Sequence, residues 1–175
     1  MSGYSTLEVY DFDWTLFRSP FPPEGKSDKS WWASEESLMP PHVPLRAPRS
    51  FWIEEVVKEM LSSQKRWKST LTIVLTARRG KTEARIRELL GQRYLVPDYL
   101  IGRPASFQKE KSSELFKRKT VANILYSHPG IKKVVVWEDM QKQLDGIGDL
   151  LKRRGIDFEP NLVTDPEHRR KARKK

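Results

Sequence analysis

In this chain of 175 residues, carboxylates recur at two short spacings: Asp11 and Asp13, two apart, and the adjacent pair Glu138 and Asp139. Each set ends an apolar, β-prone run, Leu7 to Phe12 for the first and Lys133 to Trp137 for the second. A third run, Leu71-Thr72-Ile73-Val74-Leu75-Thr76, ends in a hydroxyl and leads into Ala77-Arg78-Arg79-Gly80. Parallel strands would bring these ends to one edge of a sheet, where ligands bind in open α/β folds. Three or four carboxylates crowded there repel one another, by several kcal/mol in a partly buried site. A hard dication with oxygen ligands, most simply Mg²⁺, relieves that repulsion. Such a set suits phosphoryl transfer. One carboxylate attacks phosphorus and forms an acyl-phosphate that water cleaves. A second, two residues on, protonates the leaving oxygen and then activates the water. A hydroxyl and a lysine hold the transferring oxygens, where charge must be stabilised.

Taken singly, each feature has a plainer explanation. An Asp-x-Asp can cap a turn, Thr76 can be an ordinary β-branched strand residue, and Glu138-Asp139 can cap the helix that starts near Gln141. Their joint appearance, each at the end of an expected strand, favours chemistry.

The elements that must position these residues follow from hydrophobic periodicity. Strands are expected at 7–12, 71–76, 99–101 and 133–137, with a last short one at 156–158 or 161–163. Helices are expected at 51–64, with Ser50 as N-cap, and at 81–90 with Gly91 as the stop. Two more are expected, at 114–126 and 141–154, with a loop from Gly102 to Ser113 between the third strand and the first of them. Strands alternating with helices of this length imply parallel βαβ units.

Residues 18–50 break the pattern. Most of the twelve prolines lie there, and proline blocks helix interiors and central strands. A long irregular segment inside a compact domain is usually functional or disordered, and Trp31, Trp32 and Leu38 argue against full disorder. The two tryptophans suit either base stacking or the core of the segment itself.

Composition narrows the classes. There is no cysteine, so neither a disulfide nor a thiolate metal site, which fits a reducing, intracellular compartment. No 18-residue apolar run spans a membrane, and no secretory signal opens the chain. The net charge is +10, of which six Lys or Arg lie in the last eight residues (HRRKARKK), leaving +4 on the body. Such a tail either attracts phosphate polyanions and acidic partners or is a solvated end. His42, His128 and His168 show no ligand spacing and receive no role.

Asp11-Phe12-Asp13-Trp14-Thr15-Leu16-Phe17 resembles the first motif of the haloacid dehalogenase (HAD) superfamily. Val74-Leu75-Thr76 resembles the second, and Val134-Val135-Val136-Trp137-Glu138-Asp139 the fourth. The run DFDWTLFRSPFPP, the WW pair, PPHVP and LTARRGKTEARIRELL look most like the HAD domain of Swiss Army Knife RNA repair proteins. That group usually follows its paired acids with a basic residue and a His; Met140-Gln141-Lys142 stand here instead.

The resemblance implies a Rossmannoid three-layer α/β sandwich with a central parallel sheet over residues 1–165. It adds a small Pro/Trp-rich cap at 18–50 and a basic tail at 166–175. It makes Asp11 the nucleophile and a Mg²⁺ ligand. Asp13 becomes the general acid/base, with its carbonyl on the metal. Thr76 binds the phosphoryl group, and Asp139 completes the metal shell with Glu138 nearby. The third motif is one lysine: Lys117, followed by apolar residues at helical spacing, is chosen, with Lys119, Lys111 and Lys109 as rivals and an ordinary solvated lysine as the plain alternative. Trp14 stands where glycine is common and walls the substrate entrance. Arg78, Arg79, Lys81 and Arg85 contact a polyanionic substrate or merely balance carboxylates.

The expected function is a monomeric, Mg²⁺-dependent phosphohydrolase acting through an aspartyl-phosphate on phosphorylated RNA or DNA ends or nucleotides. The alternative is a catalytically weak HAD-like domain that binds RNA or a ribonucleoprotein.

Overall fold

The computed structural model describes residues 3–107 and 112–168. Five strands, β1 (Thr6–Tyr10), β2 (Thr70–Arg79), β3 (Tyr99–Arg103), β4 (Lys133–Glu138) and β5 (Asp157–Leu162), form one sheet in the order β3-β2-β1-β4-β5. Every neighbouring pair is parallel. The helices are α1 (Asp28–Trp32), α2 (Glu54–Lys65), α3 (Glu83–Gly91), α4 (Ser113–Ser127) and α5 (Gln141–Arg153). Among the described residues, no helix is long and apolar enough to cross a membrane.

Side chains alternate across the strands and so feed two cores. Leu7, Val9, Leu71, Ile73, Leu75, Val134 and Val136 pack under α4 and α5, against Val121, Leu125, Leu144, Ile147 and Leu151. Tyr10, Val74 and Leu100 face the opposite way, toward Val56, Val57 and Met60 of α2 and Ile86, Leu89 and Leu90 of α3. The result is the expected three-layer α/β sandwich. Strand order reverses between β1 and β4, so the crevice that such folds use for ligands opens at the ends of these two strands.

Several boundaries differ from those read in the sequence. The helix expected at 51–64 starts at Glu54, after a 3-10 turn at Arg49–Phe51, and Ser50 does not cap it. Tertiary pairing decides this: Trp52 bridges Phe17, and the Ile53 amide donates to the Leu16 carbonyl at 3.0 Å. The strand expected to stop at Thr76 runs on to Arg79, because β2 resumes pairing with β3 at Arg79–Arg103 after a register shift. The last strand, Asp157–Leu162, overlaps both of its expected alternatives.

Gly102 sits where that register shift brings backbones together. A Cβ there would lie 3.1 Å from the Arg78 carbonyl oxygen and 2.9 Å from Glu83 Oε1, which already accepts the Gly102 amide. Gly102→Ala is therefore expected to destabilise the protein by about 1–3 kcal/mol in urea denaturation, the usual cost of overpacking.

A second stability prediction concerns pH. Both nitrogens of the Arg93 fork reach Glu54, at 2.6 and 2.9 Å, and tie the start of α2 to the end of α3. The Arg93 hydrogen bonds, with Arg49 beside them, hold the Glu54 carboxyl down at about 2. A depressed carboxylate stabilises the fold above its unfolded value and loses that stabilisation as pH falls through its folded value. Glu54→Gln should cost about 1 kcal/mol at pH 7 for this partly exposed pair. The difference from wild type should shrink as denaturation is repeated from pH 4.5 down to 2.

The 18–50 segment is not a loose flap. Leu38 and Val43 enter the α2–α3 core. Trp31 is buried, and its indole N–H donates to the Pro20 carbonyl at 2.7 Å. Arg85, considered above as a substrate contact, is itself buried. It donates instead to the carbonyls of Leu38, Pro44 and Leu45 at 3.0, 2.9 and 3.2 Å, which fastens the segment to α3.

Candidate active site

The chain leaves β1 in a tight turn. The Phe12 carbonyl accepts the amides of Leu16 and Phe17, at 3.1 and 2.9 Å, and Trp14 N–H donates to Phe17 O at 2.7 Å. Trp14 adopts φ +56°, the left-handed conformation that suits glycine and strains a bulky residue. The turn sets Asp11 and Asp13 at the switch point, across from the end of β4.

There three carboxylates meet. Asp11, Glu138 and Asp139 each offer an oxygen within 4.8 Å of the others. Lys117, in the second turn of α4, reaches between them. Its ammonium donates to Asp11 Oδ1 at 2.6 Å and to Glu138 Oε2 at 2.7 Å. Thr15 Oγ1 donates to Asp11 Oδ2, and the amides of Asp139 and Met140 donate to Glu138 Oε1. Lys117 is thus not a solvated lysine: only 2 % of it is exposed. Of its rivals, Lys109 and Lys111 lie outside the described residues.

The electrostatics are those of a crowded anionic pit. Burial first, then the neighbouring Glu138 charge, pushes Asp11 up to about 7. Burial also raises Glu138 to about 7, with Asp139 adding to the rise. Asp139 reaches about 7 through burial and the Asp11 charge. Burial opposes the Lys117 charge, yet Asp11 and Glu138 together overcome it and hold the ammonium above the ordinary lysine range. Three carboxylates against one ammonium leave an excess of negative charge in a largely buried site. A hard dication with oxygen donors fits that deficit.

The Asp13 carboxylate does not join this cluster. Arg78 Nε donates to its two oxygens at 2.9 and 3.0 Å, and the Ser19 hydroxyl also donates to it. The same guanidinium donates to Ser37 Oγ at 2.7 Å and to the Trp32 carbonyl at 3.3 Å. Arg78 thus pairs with a carboxylate while also lining the cavity above it. Thr76 is fully buried within β2, three residues before its end, and its hydroxyl accepts the Arg78 amide at 3.1 Å.

Above these groups lies a cavity of about 1120 Å³. Asp11, Asp13, Asp139 and Lys117 line it, with Trp14, Trp32, Arg78, Arg79, Arg103, Gln143 and His168 among the other walls. It is far larger than a phosphate ion requires. Of the two tryptophans of the insert, Trp31 is buried in the core and Trp32 lines the cavity.

His168, which received no role from its spacing, is part of the site. Its ring stacks on Trp14 with centroids 4.7 Å apart and planes 11° apart, and Nδ1 lies 3.7 Å from Asp139 Oδ2. Burial holds its imidazole below the usual histidine range. Residues 166–168, placed with the tail in the sequence, form a helical turn instead. The signal was present in Asp165-Pro166: Asp165 Oδ1 caps the turn by accepting the Glu167 amide at 2.9 Å, and proline suits a first helical position. The rest of the basic run, residues 169–175, lies outside the described residues.

Residues 22–168 match the family described as HAD domain family 1 in Swiss Army Knife RNA repair proteins. The matched region begins after the Asp11–Phe17 turn. Among solved structures, a chain of the Pnkp1/Rnl/Hen1 RNA repair complex superposes with a TM-score of 0.60 at 10 % identity, covering 93 % of this chain and 44 % of that one. A second structure of that complex gives 0.59 at 12 % identity, covering 91 % and 45 %. The HAD domain of effector protein Lem4 from Legionella pneumophila gives 0.58 at 12 %, covering 99 % and 95 %. At such identities the likeness is one of fold. The chain spans less than half the length of the RNA repair chains it resembles. A search of curated proteins found no match.

Proposed function

Because the chain belongs to HAD domain family 1 of the Swiss Army Knife RNA repair proteins, we propose that it is a Mg²⁺-dependent phosphohydrolase. Its substrates in this reading are phosphorylated nucleic-acid ends or nucleotides. The observation that carries the reading is the Asp11–Glu138–Asp139 trio around Lys117 on the floor of a large cavity.

Asp11 and Asp139 would hold the metal, with Glu138 beside them and the Asp13 carbonyl as a further ligand. Once bound, Mg²⁺ supplies positive charge where the carboxylates and the phosphoryl group would otherwise repel. The Asp11 carboxylate attacks phosphorus, the bond to the leaving oxygen breaks, and an aspartyl-phosphate forms on Asp11. Asp13 gives its proton to the leaving oxygen, then takes one from the water that cleaves the intermediate. Thr76 and Lys117 steady the equatorial oxygens.

Phosphate release from p-nitrophenyl phosphate and from 5′- and 3′-phosphorylated oligonucleotides, with Mg²⁺ and with EDTA, tests this. Release is expected only with the metal. Binding to the native state alone also stabilises it, by about 2.7 kcal/mol at a hundredfold excess over Kd. For a chain of this size, Mg²⁺ should then raise Tm by about 5 °C or more. No metal-dependent release and no shift in Tm would remove the proposal.

A second reading, a nucleic-acid-binding domain with weak catalysis, draws on the Asp13–Arg78 pair. Both Asp13 oxygens already accept from the Arg78 guanidinium, at 2.9 and 3.0 Å, so the carboxylate is engaged within the protein. It predicts salt-sensitive oligonucleotide binding without phosphate release.

A further inference from the structure

The chain beyond β5 is strapped over the site by an ion pair that spans most of the sequence. Arg18 Nε and Nη2 meet Asp165 Oδ2 at 3.0 and 2.9 Å, and Arg18 Nη1 donates to the carbonyls of Ser50 and Trp52 at 2.8 Å each. Asp165 is buried, and its other oxygen caps the turn that carries His168. Arg18 thus anchors the segment that carries the imidazole. This ring meets Trp14 face to face, and Phe21 completes a group of three rings, 5.1 Å from Trp14 and 5.6 Å from His168. About a third of the His168 side chain is exposed, and His168, Trp14 and Trp32 all line the cavity that holds Asp11 and Asp139.

A phosphoryl group engaged with Asp11 leaves its ester substituent pointing away from the carboxylate floor. Trp14 is itself buried and backs the imidazole, so the part-exposed ring of His168 is the one that a planar substituent would use, because any nucleobase presents a π-face and stacking tolerates all four. We propose that His168 is a specificity-determining residue: the Trp14–His168 stack, delivered by the Arg18–Asp165 strap, is a seat for the nucleobase next to the phosphate. The inference rests on the phosphohydrolase reading for the position of the phosphate. The seat itself is a binding property and is measured as one.

The ligands are adenosine 5′-monophosphate, adenosine 3′-monophosphate and ribose 5-phosphate; the last keeps sugar and phosphate but has no base. Affinity is measured by calorimetry with Mg²⁺ present, for wild type, His168→Ala, His168→Phe and Arg18→Met. Wild type is expected to prefer one or both nucleotides over ribose 5-phosphate by about tenfold or more, the scale of a single base–aromatic stack. His168→Ala should erase most of that preference. His168→Phe, which keeps a flat ring and drops both nitrogens, should restore it. Arg18→Met, outside the cavity, should mimic His168→Ala because the strap no longer delivers the ring.

Equal weakening of nucleotide and ribose 5-phosphate in His168→Ala would overturn the inference and assign His168 to the Asp139 side of the site. An unchanged preference in His168→Ala, or failure of His168→Phe to restore it, would overturn it too. A base preference that depends on His168, in a protein that releases no phosphate from any ester, would sink the phosphohydrolase reading and leave the seat standing. Phosphate release with no base preference would do the reverse.

Discussion

Asp11→Asn should lower phosphate release by about a thousandfold or more, the scale seen when a nucleophile is removed, while leaving the protein folded. Asparagine has nearly the shape of aspartate, but its amide does not attack phosphorus. The structure also says why the fold should tolerate the change. Asp11 is a buried carboxylate whose charge is opposed by burial and by Glu138. Losing that charge relieves the crowding, and Lys117 keeps its 2.7 Å partner in Glu138. Phosphate release measured beside a urea melt separates the two effects. A variant that keeps a tenth of wild-type turnover removes Asp11 as the nucleophile. A variant that unfolds shows instead that Asp11 holds the cluster together.

The second large effect lies in the cation. Lys117→Met keeps the length and apolar stem of the side chain and deletes the ammonium that lies between Asp11 and Glu138, 2.6 and 2.7 Å away. Breaking a buried ion pair on one side strands the other, at a typical cost of about 3–5 kcal/mol. Two carboxylates are stranded here, so the loss should sit at the upper end. Added Mg²⁺ should recover part of it, because a dication among the same oxygens substitutes for the missing charge. Urea melts of the variant with and without Mg²⁺ check both statements. A loss under 1 kcal/mol would mean that water, and not Lys117, compensates the trio. In the proposed reaction Lys117 also steadies the transferring oxygens, so phosphate release should fall as well.

The sheet was legible because β1, β2 and β4 are buried on both faces and so read as nearly unbroken apolar runs. The convergence of Asp11, Glu138 and Asp139 was legible for a related reason: parallel strands of similar register must deliver their ends to one edge, whereas Lys117 was singled out from several lysines only through the family resemblance. What escaped notice depends on contacts between distant residues. Nothing periodic marks Arg85 as the residue that grips three carbonyls of the insert, or Arg18 as the partner of Asp165. Ser50 has the composition of a cap, yet the Phe17–Trp52 bridge claims the backbone before a helix forms there. His168 was hidden by its neighbours, since a histidine opening a run of Lys and Arg reads as solvated chain.

Arg78 ties together two things that are often separate in enzymes. Its guanidinium aims Asp13 and, with its remaining nitrogens, grips Ser37 and the Trp32 carbonyl of the insert. The insert is therefore no interchangeable module. Grafting another segment between Phe17 and Phe51 would unmoor Arg78 and, with it, the Asp13 carboxylate proposed as proton donor. Entrance and chemistry in this protein must change together, so a new substrate preference would come more readily from point changes along the cavity wall than from trading the insert whole.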